Sequence, residues 1–409
     1  FVKGLAVLLV LFILFLLVVS IPSVQTYFGT YATQQINEKF NTNIKVEKVG
    51  LQFNGDVELK NILIKDHKNN SLISIKELNS SILSFANIND KKLIFGDIDI
   101  YGLFFHIKTY SGEQASNLDI FTGKFKNTKE PSSLFKLSAT NLRVRDSYFK
   151  LSDENKTVQE ILDFQKLYIN ADDFLILGPD VQTQINALRF KDARGIEIQN
   201  LKAQFEYTPN AMFFEHLKIA TNGSYLDGNL VFSYNREDLK MFADKAQLKA
   251  NFKDSRIDLG ELNVFYPEFG NAKTLIFNSE LTGTINELSA INLDIKSNGG
   301  TEIKGDFNFK NLKTSDFQTF EMTAKLNHLS STYKDLKGIL PRVLGKNLPP
   351  SLEFLGTFSA TGLLTISEPI ISLNCEVDTA LGKISTDLSL DIINDINTAI
   401  YNGQLELFD

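Results

Sequence analysis

The side chains that most often carry chemistry are scattered along this sequence. The four histidines, His67, His106, His216 and His328, lie far apart and show neither the HxxxH nor the HExxH spacing of a metal site. The sequence contains no GxSxG motif, so it offers no nucleophile elbow for an esterase or lipase. We therefore expect no catalytic residue, no metal site and no cofactor, and we rank an enzyme last among the function classes.

Acidic and glycine-containing stretches lead to the same expectation. Asp97 and Asp99 fall on the polar side of one alternating segment, and a paired-carboxylate site would also need an enclosing pocket. The acidic pair at residues 172–173 lacks the spacing of a calcium loop. GTFSATG at residues 356–362 matches neither a P-loop nor a dinucleotide fingerprint. The single cysteine, Cys375, shares an alternating face with apolar neighbours, which is typical of a small core residue.

The elements that would position any site begin with an apolar segment. Residues 5–21, LAVLLVLFILFLLVVSI, follow a single cation at Lys3, and no charged residue appears again until Glu38. A span of about 20 apolar residues can cross a hydrocarbon core of about 30 Å. We therefore predict a transmembrane signal anchor over residues 1–22, with a cleaved secretory signal as the alternative. The residues expected to hold the chain in the membrane are Leu5, Leu8, Leu11, Phe12, Leu14, Phe15 and Leu17.

A short amphipathic helix is predicted next, over residues 23–42. Ser20 and Pro22 supply start signals, whereas Gly29 is unfavourable inside a helix. Apolar residues recur at spacings near 3.6, which predicts one apolar face at the mouth of whatever follows. These residues are Tyr27, Phe28, Tyr31, Ile36 and Phe40. Two interpretations stay open: a helix in the membrane interface, or a helix packed on the first strands.

From residue 43 onward the period changes to two, which predicts β-strands. Three segments each shift phase once, near Asn61, near Gly102 and near residues 140–141, as a strand does at a β-bulge. These positions are spaced by roughly 40 residues, a period that favours a repeating β unit over one closed domain. NILIKD at residues 61–66 and NLRVRD at residues 141–146 share a short signature.

The predicted fold is mainly β: an elongated, curled, repetitive sheet over residues 43–409, with a short helix near residues 332–345. The helix could cap the apolar face of the sheet or connect two strands across its rim. A curled sheet of this β-taco or bridge-like kind would leave an apolar groove, and the alternative is a dry core of interdigitating side chains. The residues expected to line the groove are Val57, Leu59, Ile62, Ile64, Ile98, Ile100, Leu103, Phe105, Ile107, Leu142 and Val144.

Composition limits the class of partner. The net charge of -7 argues against a nucleic-acid partner, which would need a basic stripe. The chain is 43% hydrophobic, a composition unlike that of a disordered protein. Its 409 residues begin with Phe1 rather than Met, so we expect it to be a segment that continues beyond Asp409.

Several stretches carry a family resemblance. They are TYFGTYATQQINEKFNTNIKVEKV (residues 26–49), GDVELKNILIKDH (residues 55–67), GDIDIYGLFFHIKTY (residues 96–110) and NLPPSLEFLGTFSATG (residues 347–362). Together with the apolar segment at the amino terminus, they resemble the amino-terminal part of proteins of the AsmA-like family. This family includes the inner-membrane subunit of the translocation and assembly module.

The resemblance implies a single-pass protein of the inner membrane with most of its chain in the periplasm. It implies a β-groove similar in architecture to the bridge-like lipid-transfer proteins of eukaryotes, and phospholipid movement toward the outer membrane. It also implies a BamA-class outer-membrane partner, bound through a region outside this segment. The alternative function is a scaffold for outer-membrane protein insertion or secretion, which would offer sheet edges to client strands.

Overall fold

The computed structural model describes residues 21–52, 55–82, 92–125, 136–157, 160–264, 269–271, 273–312, 320–341, 350–367, 370–391 and 400–408. The chain is mainly β, and its 19 strands are assigned to a single sheet. It divides into two compact units, unit 1 at residues 1–201 and unit 2 at residues 202–409. The predicted anchor spans residues 1–22, of which residues 1–20 lie outside the described residues and Pro22 is the first residue of a described helix. Within the described ranges, no helix is long and apolar enough to cross a bilayer.

Among its described residues, unit 1 contains two helices and the first seven strands. Helix α1 is Pro22–Phe40 and helix α2 is Asn117–Gly123. The strands are β1 Asn43–Leu51, β2 Asp56–Lys65, β3 Ser71–Ile82, β4 Lys92–Thr109, β5 Lys136–Asp153, β6 Glu160–Leu177 and β7 Asp180–Asp192. Strand β8, Glu197–Thr208, contains residues of both units.

The strands of unit 1 pair in sequence order from β1 to β7. These pairings are antiparallel except that of β4 with β5, which is parallel. The two strands run side by side from Lys92 opposite Lys136 to Thr109 opposite Asp153, so residues 44 positions apart are equivalent. This offset is close to the period seen in the sequence. Helix α2 lies in the connection between the two strands.

The phase shifts of the sequence lie at residues with left-handed backbone. The φ angle is +52° at Asn61 and +66° at Gly102. In β5 the left-handed residue is Asp146, at +47°, rather than a residue of the predicted pair 140–141. Asn, Asp and Gly tolerate this conformation best. The prediction missed Asp146 because the next inward-facing residue is polar: Ser147 is 3% exposed and breaks the apolar alternation.

In the ranges of unit 2 that the structure describes there are eleven complete strands and three short helices. The strands are β9 Ala211–Ala220, β10 Tyr225–Ser233, β11 Gln247–Asp258, β12 Thr274–Gly283, β13 Leu288–Ser297, β14 Glu302–Lys310, β15 Glu321–Thr332, β16 Thr357–Ser367, β17 Ile370–Thr379, β18 Gly382–Asp391 and β19 Ile400–Phe408. The helices are α3 Phe242–Lys245, α4 Leu259–Asn263 and α5 Tyr333–Ile339, and 3-10 turns span Arg236–Met241 and Pro350–Leu355. From β9 to β19, neighbouring strands pair antiparallel.

The predicted short helix corresponds to α5. The side chain of Thr332 caps its amino end by accepting a hydrogen bond from the amide of Asp335. Ile339 packs with Leu259 and Leu275 in a buried apolar cluster, so α5 caps the apolar face, which is one of the two predicted alternatives. The prediction of a single internal helix is wrong, because α2, α3 and α4 are also helical. Helices α3 and α4, of four and five residues, are too short to show a periodic apolar pattern.

Candidate functional site

The predicted groove residues of unit 1 lie opposite one another across the sheet. Directly paired residues of neighbouring strands share a face. Leu59 pairs with Val49 and Leu78, and Ile100 pairs with Leu78 and Val144. The row runs on through β5, β6 and β7. Its members in strand order are Val49, Leu59, Leu78, Ile100, Val144, Ile169 and Leu188.

A second row becomes aromatic toward β7. Ile64 pairs with Ile44 and Ile73, and Ile73 pairs with Phe105. The ring of Phe105 lies 5.6 Å from that of Phe149 between centroids. The row continues from Phe149 to Phe164 at 5.8 Å and from Phe164 to Phe190 at 4.0 Å, distances typical of interacting aromatic pairs.

The remaining predicted residues join the same face. The pairings that include them are Val57 with Leu51 and Ser80, Ile62 with Val46 and Ile75, Ile98 with Ser80 and Leu142, Leu103 with Ile75, Leu142 with Ala171, and Ile107 with Leu151. The left-handed residues in β2 and β4 preserve this arrangement, because a shift of phase returns apolar side chains to one face. All eleven predicted residues therefore lie together on one apolar face, which we call the unit 1 face.

The unit 1 face is only half buried. Among the eleven residues, Ile62 at 8% and Val144 at 4% exposure are buried, and the other nine are half-buried. Side chains in a filled protein core are close-packed and leave few voids. The exposure of these residues, within the part of the chain that the structure describes, favours an open apolar groove over a dry core.

Helix α1 packs along the edge of β1 through polar side chains. The amide of Gln25 donates to the carbonyl of Leu51 at 2.9 Å and accepts from its N–H at 2.8 Å. Asn37 forms the same pair of hydrogen bonds with Ile44, both at 2.8 Å. The hydroxyl of Thr26 accepts from the N–H of Val49 at 3.2 Å. The helix thus occupies hydrogen-bonding groups that would otherwise form an open strand edge.

Gly29 brings α1 close to this strand. A Cβ atom at Gly29 would lie 2.3 Å from Cγ2 of Val49, far inside van der Waals contact. The glycine that counted against a helix in the sequence is therefore the residue that lets the helix approach the sheet.

The apolar and aromatic residues predicted for α1 do not form one shared face. Tyr27, Phe28 and Tyr31 are 70%, 57% and 57% exposed, and Ile36 is 38% exposed. Phe40 instead turns toward the protein, with its ring 4.9 Å from that of Phe125. The prediction of one shared face is wrong, because the polar side of the helix is the side needed to satisfy the edge of β1.

A cavity of about 790 Å³ lies between α1 and the first three strands. Its volume falls in the range of about 300–1,000 Å³ that is usual for small-molecule sites. The helix contributes polar groups to its lining, among them Thr33 and Gln34, and the sheet contributes apolar residues of the unit 1 face. The apolar lining residues are Ile44, Val46, Ile62, Leu63 and Ile75, and the strands also contribute the charged residues Lys45, Glu47 and Lys76.

A buried carboxylate fixes α2 beside the strand ends. Asp66 is 5% exposed and accepts hydrogen bonds from the hydroxyl of Tyr110 at 2.6 Å and from the amide of Asn117 at 3.2 Å. Burial alone would raise the pKa of Asp66, but hydrogen bonds from Tyr110, Asn117 and two backbone amides hold the pKa below its usual value. Burial, together with Asp66, raises the pKa of Tyr110 to about 12. Both groups therefore keep one protonation state near neutral pH and serve to position α2.

Several residues of the unit 1 face were not predicted. Phe149, Phe164 and Phe190 carry the aromatic row, and the residues of β3 join the strands on either side of it. The signal was present in the sequence, since Ile75 and Leu78 are spaced by three, as are Leu59 and Ile62 across Asn61. The same phase shift in β3 would have placed them on the face.

The described residues contain no group of three or more His, Cys, Asp or Glu side chains that could hold a metal ion. The histidines of unit 1 make local contacts: His67 with Glu113 at 2.8 Å, and His106 with Ser152 at 2.9 Å. Cys375 is buried and unpaired by a disulfide. Compared with known proteins, the chain matches no family model, no curated protein and no solved structure, so a functional interpretation must start from the geometry above.

Proposed function

We propose that this protein is a membrane-anchored lipid conduit, which carries the acyl chains of phospholipids along the unit 1 face toward the outer membrane. The observation that supports it best is the half-buried state of nine of the eleven aligned apolar residues. A contiguous apolar surface that stays partly open marks a ligand groove or an interaction site.

The energetics favour such a path. Moving an acyl chain of about 16 carbons through water costs on the order of 12 kcal/mol, at about 0.8 kcal/mol per methylene. A chain that slides over rows of Ile, Leu, Val and Phe exchanges one apolar contact for the next and avoids most of this barrier. The groove requires no catalytic group, and we include the absence of enzymatic activity in the proposal.

The mouth of the conduit would be the cavity beside α1. This helix begins at Pro22, directly after the apolar segment that we predict to be the anchor. Lipid leaving the bilayer would meet the cavity first, and the cavity shares Ile62 and Ile75 with the unit 1 face.

The cellular setting is part of the proposal. The resemblance to the AsmA-like family supports an inner-membrane protein with a single span and its bulk in the periplasm. It supports a BamA-class partner at the outer membrane, bound through a region outside this segment. Phospholipid and the inner membrane are then the partners of the residues described here.

A second candidate function is a scaffold for outer-membrane protein strands. It would offer strand edges of the sheet to a client segment by β-augmentation.

The proposal is tested by mass spectrometry of the lipid that stays with the protein after detergent exchange. Phe105→Arg places a charge in the aromatic row. Phe104→Arg is the matched control: it changes the neighbouring residue, whose ring stacks on Tyr148 outside the row at 5.4 Å. We expect phospholipid to be retained by wild type and by Phe104→Arg and to be lost in Phe105→Arg.

Two outcomes would contradict the conduit. Equal lipid content in all three proteins would remove the unit 1 face from the path. No lipid in any of them, with an unchanged circular dichroism spectrum, would indicate a dry core. Crosslinks from strand edges to client polypeptides would then support the scaffold.

A further inference from the structure

The polarity of α1 is the reverse of that expected for a helix at the surface of a water-soluble domain. Such helices turn their apolar side to the protein and their polar side to solvent. In α1 the polar residues Gln25, Thr26 and Asn37 bind the strand edge. The aromatic residues Tyr27, Phe28 and Tyr31 are exposed. These exposed aromatic residues therefore do not serve to pack α1 against the sheet.

The exposed aromatic residues form one compact patch. Tyr27, Phe28 and Tyr31 lie within about 100° of one another around the helix, at 3.6 residues per turn. The rings of Tyr27 and Phe28 are 6.1 Å apart. We call these three residues the aromatic patch.

The position of the patch in the chain indicates what covers it. Residues 2–20 carry one charge, at Lys3, and α1 begins two residues after them. At about 1.5 Å per residue, the patch lies roughly 8–14 Å along the helix from Pro22. Tyr and Trp are enriched at the membrane interface. Interfacial helices bury their apolar side there to a depth of about 5–10 Å.

The size of the patch argues against a protein partner. A fully covered aromatic side chain removes about 150–250 Å² from water, so at their present exposure the three residues offer roughly 300–450 Å². A stable protein interface buries about 800 Å² on each partner. Contact with a bilayer has no such minimum area, because the predicted anchor already supplies most of the membrane-binding free energy.

We propose that α1 lies in the interface of the phospholipid bilayer with the aromatic patch inserted among the head groups. Because α1 is fixed to β1 at both of its ends, through Gln25 and Asn37, this contact places the first strand and the cavity beside the membrane surface. The inference rests on the membrane anchoring in the proposed function and is independent of lipid transfer along the face.

The test uses a property of the composition. The chain contains no Trp, so Phe28→Trp introduces a single fluorophore at a residue that is 57% exposed. The full chain is reconstituted into vesicles of phosphatidylethanolamine and phosphatidylglycerol that include phosphatidylcholine brominated near the top of its acyl chains. Leu177→Trp is the matched control, at a 39% exposed residue of β6, five strands away from β1.

We expect the emission of Phe28→Trp to shift to shorter wavelength and to be quenched several-fold more strongly by bromine than that of Leu177→Trp, while iodide in water quenches chiefly the control. Equal iodide quenching at both positions would overturn the proposal. Protection from iodide without quenching by bromine would also overturn it, since a protein partner or a second copy would then cover the patch. Neither fluorescence result changes the lipid content expected of Phe105→Arg. The lipid conduit and the membrane contact of α1 can therefore fail separately.

Discussion

The two units treat the same kind of apolar face differently. In unit 1 most of the aligned apolar residues are half-buried, and they form an open face. In unit 2, Leu259 of α4 and Ile339 of α5 close over Leu275 of β12, with exposures of 0%, 6% and 9%. Alternating strands thus leave a half-buried apolar face in unit 1 and form a buried apolar cluster in unit 2, where short helices cover them.

Residue size reinforces the difference within the unit 2 sheet. Phe307 of β14 lies between Ala290 of β13 and Ala324 of β15, and all three are buried. Pairing large with small residues fills space without voids. The unit 1 face instead sets Phe beside Phe, which leaves parts of the rings uncovered.

A buried carboxylate holds the cover of unit 2 in place. Asp335, 4% exposed, accepts hydrogen bonds from Lys273, from Ser297 at 2.6 Å and from Thr301 at 2.5 Å. Burial alone would raise the pKa of Asp335, but these three donors lower it to about 2. The carboxylate therefore fixes the first turn of α5 to the end of β13 and to the turn between β13 and β14.

The largest effect we expect is from Asp335→Ala. Breaking a buried charged pair costs about 3–5 kcal/mol, because the partner groups are left without their acceptor. Urea unfolding, followed by amide hydrogen exchange in unit 2, measures the loss. The matched variant in unit 1 is Asp99→Ala, whose partners Arg143 and Arg145 are about half exposed, so its loss should stay within about 1 kcal/mol. Equal losses would contradict the difference between the units.

The same carboxylate sets a pH dependence. A folded-state pKa of about 2 is below the ordinary value near 3.9, so ionised Asp335 stabilises the fold above about pH 4, and this contribution is lost as the pH falls toward 2. The stability difference between wild type and Asp335→Ala should therefore be constant from pH 5 to 7 and shrink below about pH 4. A difference that grew on acidification would contradict the assigned sign.

The next effect compares the two apolar faces directly. Leu259→Ala removes a fully buried side chain and should cost about 2–5 kcal/mol, because a cavity remains in the unit 2 cluster. Leu103→Ala makes the same change at a half-buried residue of the unit 1 face and should cost about 1 kcal/mol. Hydrogen exchange of the two units, measured in both variants, separates the costs. A loss for Leu103→Ala as large as that for Leu259→Ala would make the unit 1 face a core.

The smallest effect concerns the cover of unit 1 at its edge. Gly29→Ala should weaken the contact of α1 with β1 by about 1–3 kcal/mol, because the new methyl group overlaps Val49. The amide protons of Ile44 and Leu51, which donate hydrogen bonds to Asn37 and Gln25 of α1, should exchange with solvent faster. Gly123→Ala is the control, since a Cβ atom there meets nothing within 4 Å. Unchanged exchange in Gly29→Ala would show that α1 does not protect this edge.

Much of the fold could be predicted from alternation alone. The apolar period of two identified the strands of unit 1, and the phase shifts at Asn61 and Gly102 identified two left-handed residues. The shift at Asp146 was hidden, because Ser147 supplies a buried polar residue where the pattern requires an apolar one.

What alternation could not show is how a face is covered. Helix α4 is only five residues long, and its capping residue, Asp258, is the end of a strand, so local periodicity does not announce it. The orientation of α1 was also outside the reach of periodicity. It depends on the backbone N–H groups of Ile44, Val49 and Leu51, which donate to side chains of α1. That these groups need partners follows only once β1 is known to pair with β2 along its other edge.

The parallel pairing of β4 with β5 has a consequence for how unit 1 folds. Antiparallel neighbours meet after a short turn, as Lys65 meets Ser71 six positions later, whereas Lys92 must find Lys136, 44 positions away. The entropic cost of loop closure rises by about 0.6 kcal/mol for each doubling of loop length. Pairing β4 with β5 therefore costs roughly 2 kcal/mol more loop-closure entropy than forming a hairpin. Sequence-distant contacts of this kind form slowly. The hairpins on either side can therefore assemble first, and unit 1 is completed when its two halves zip together along β4 and β5.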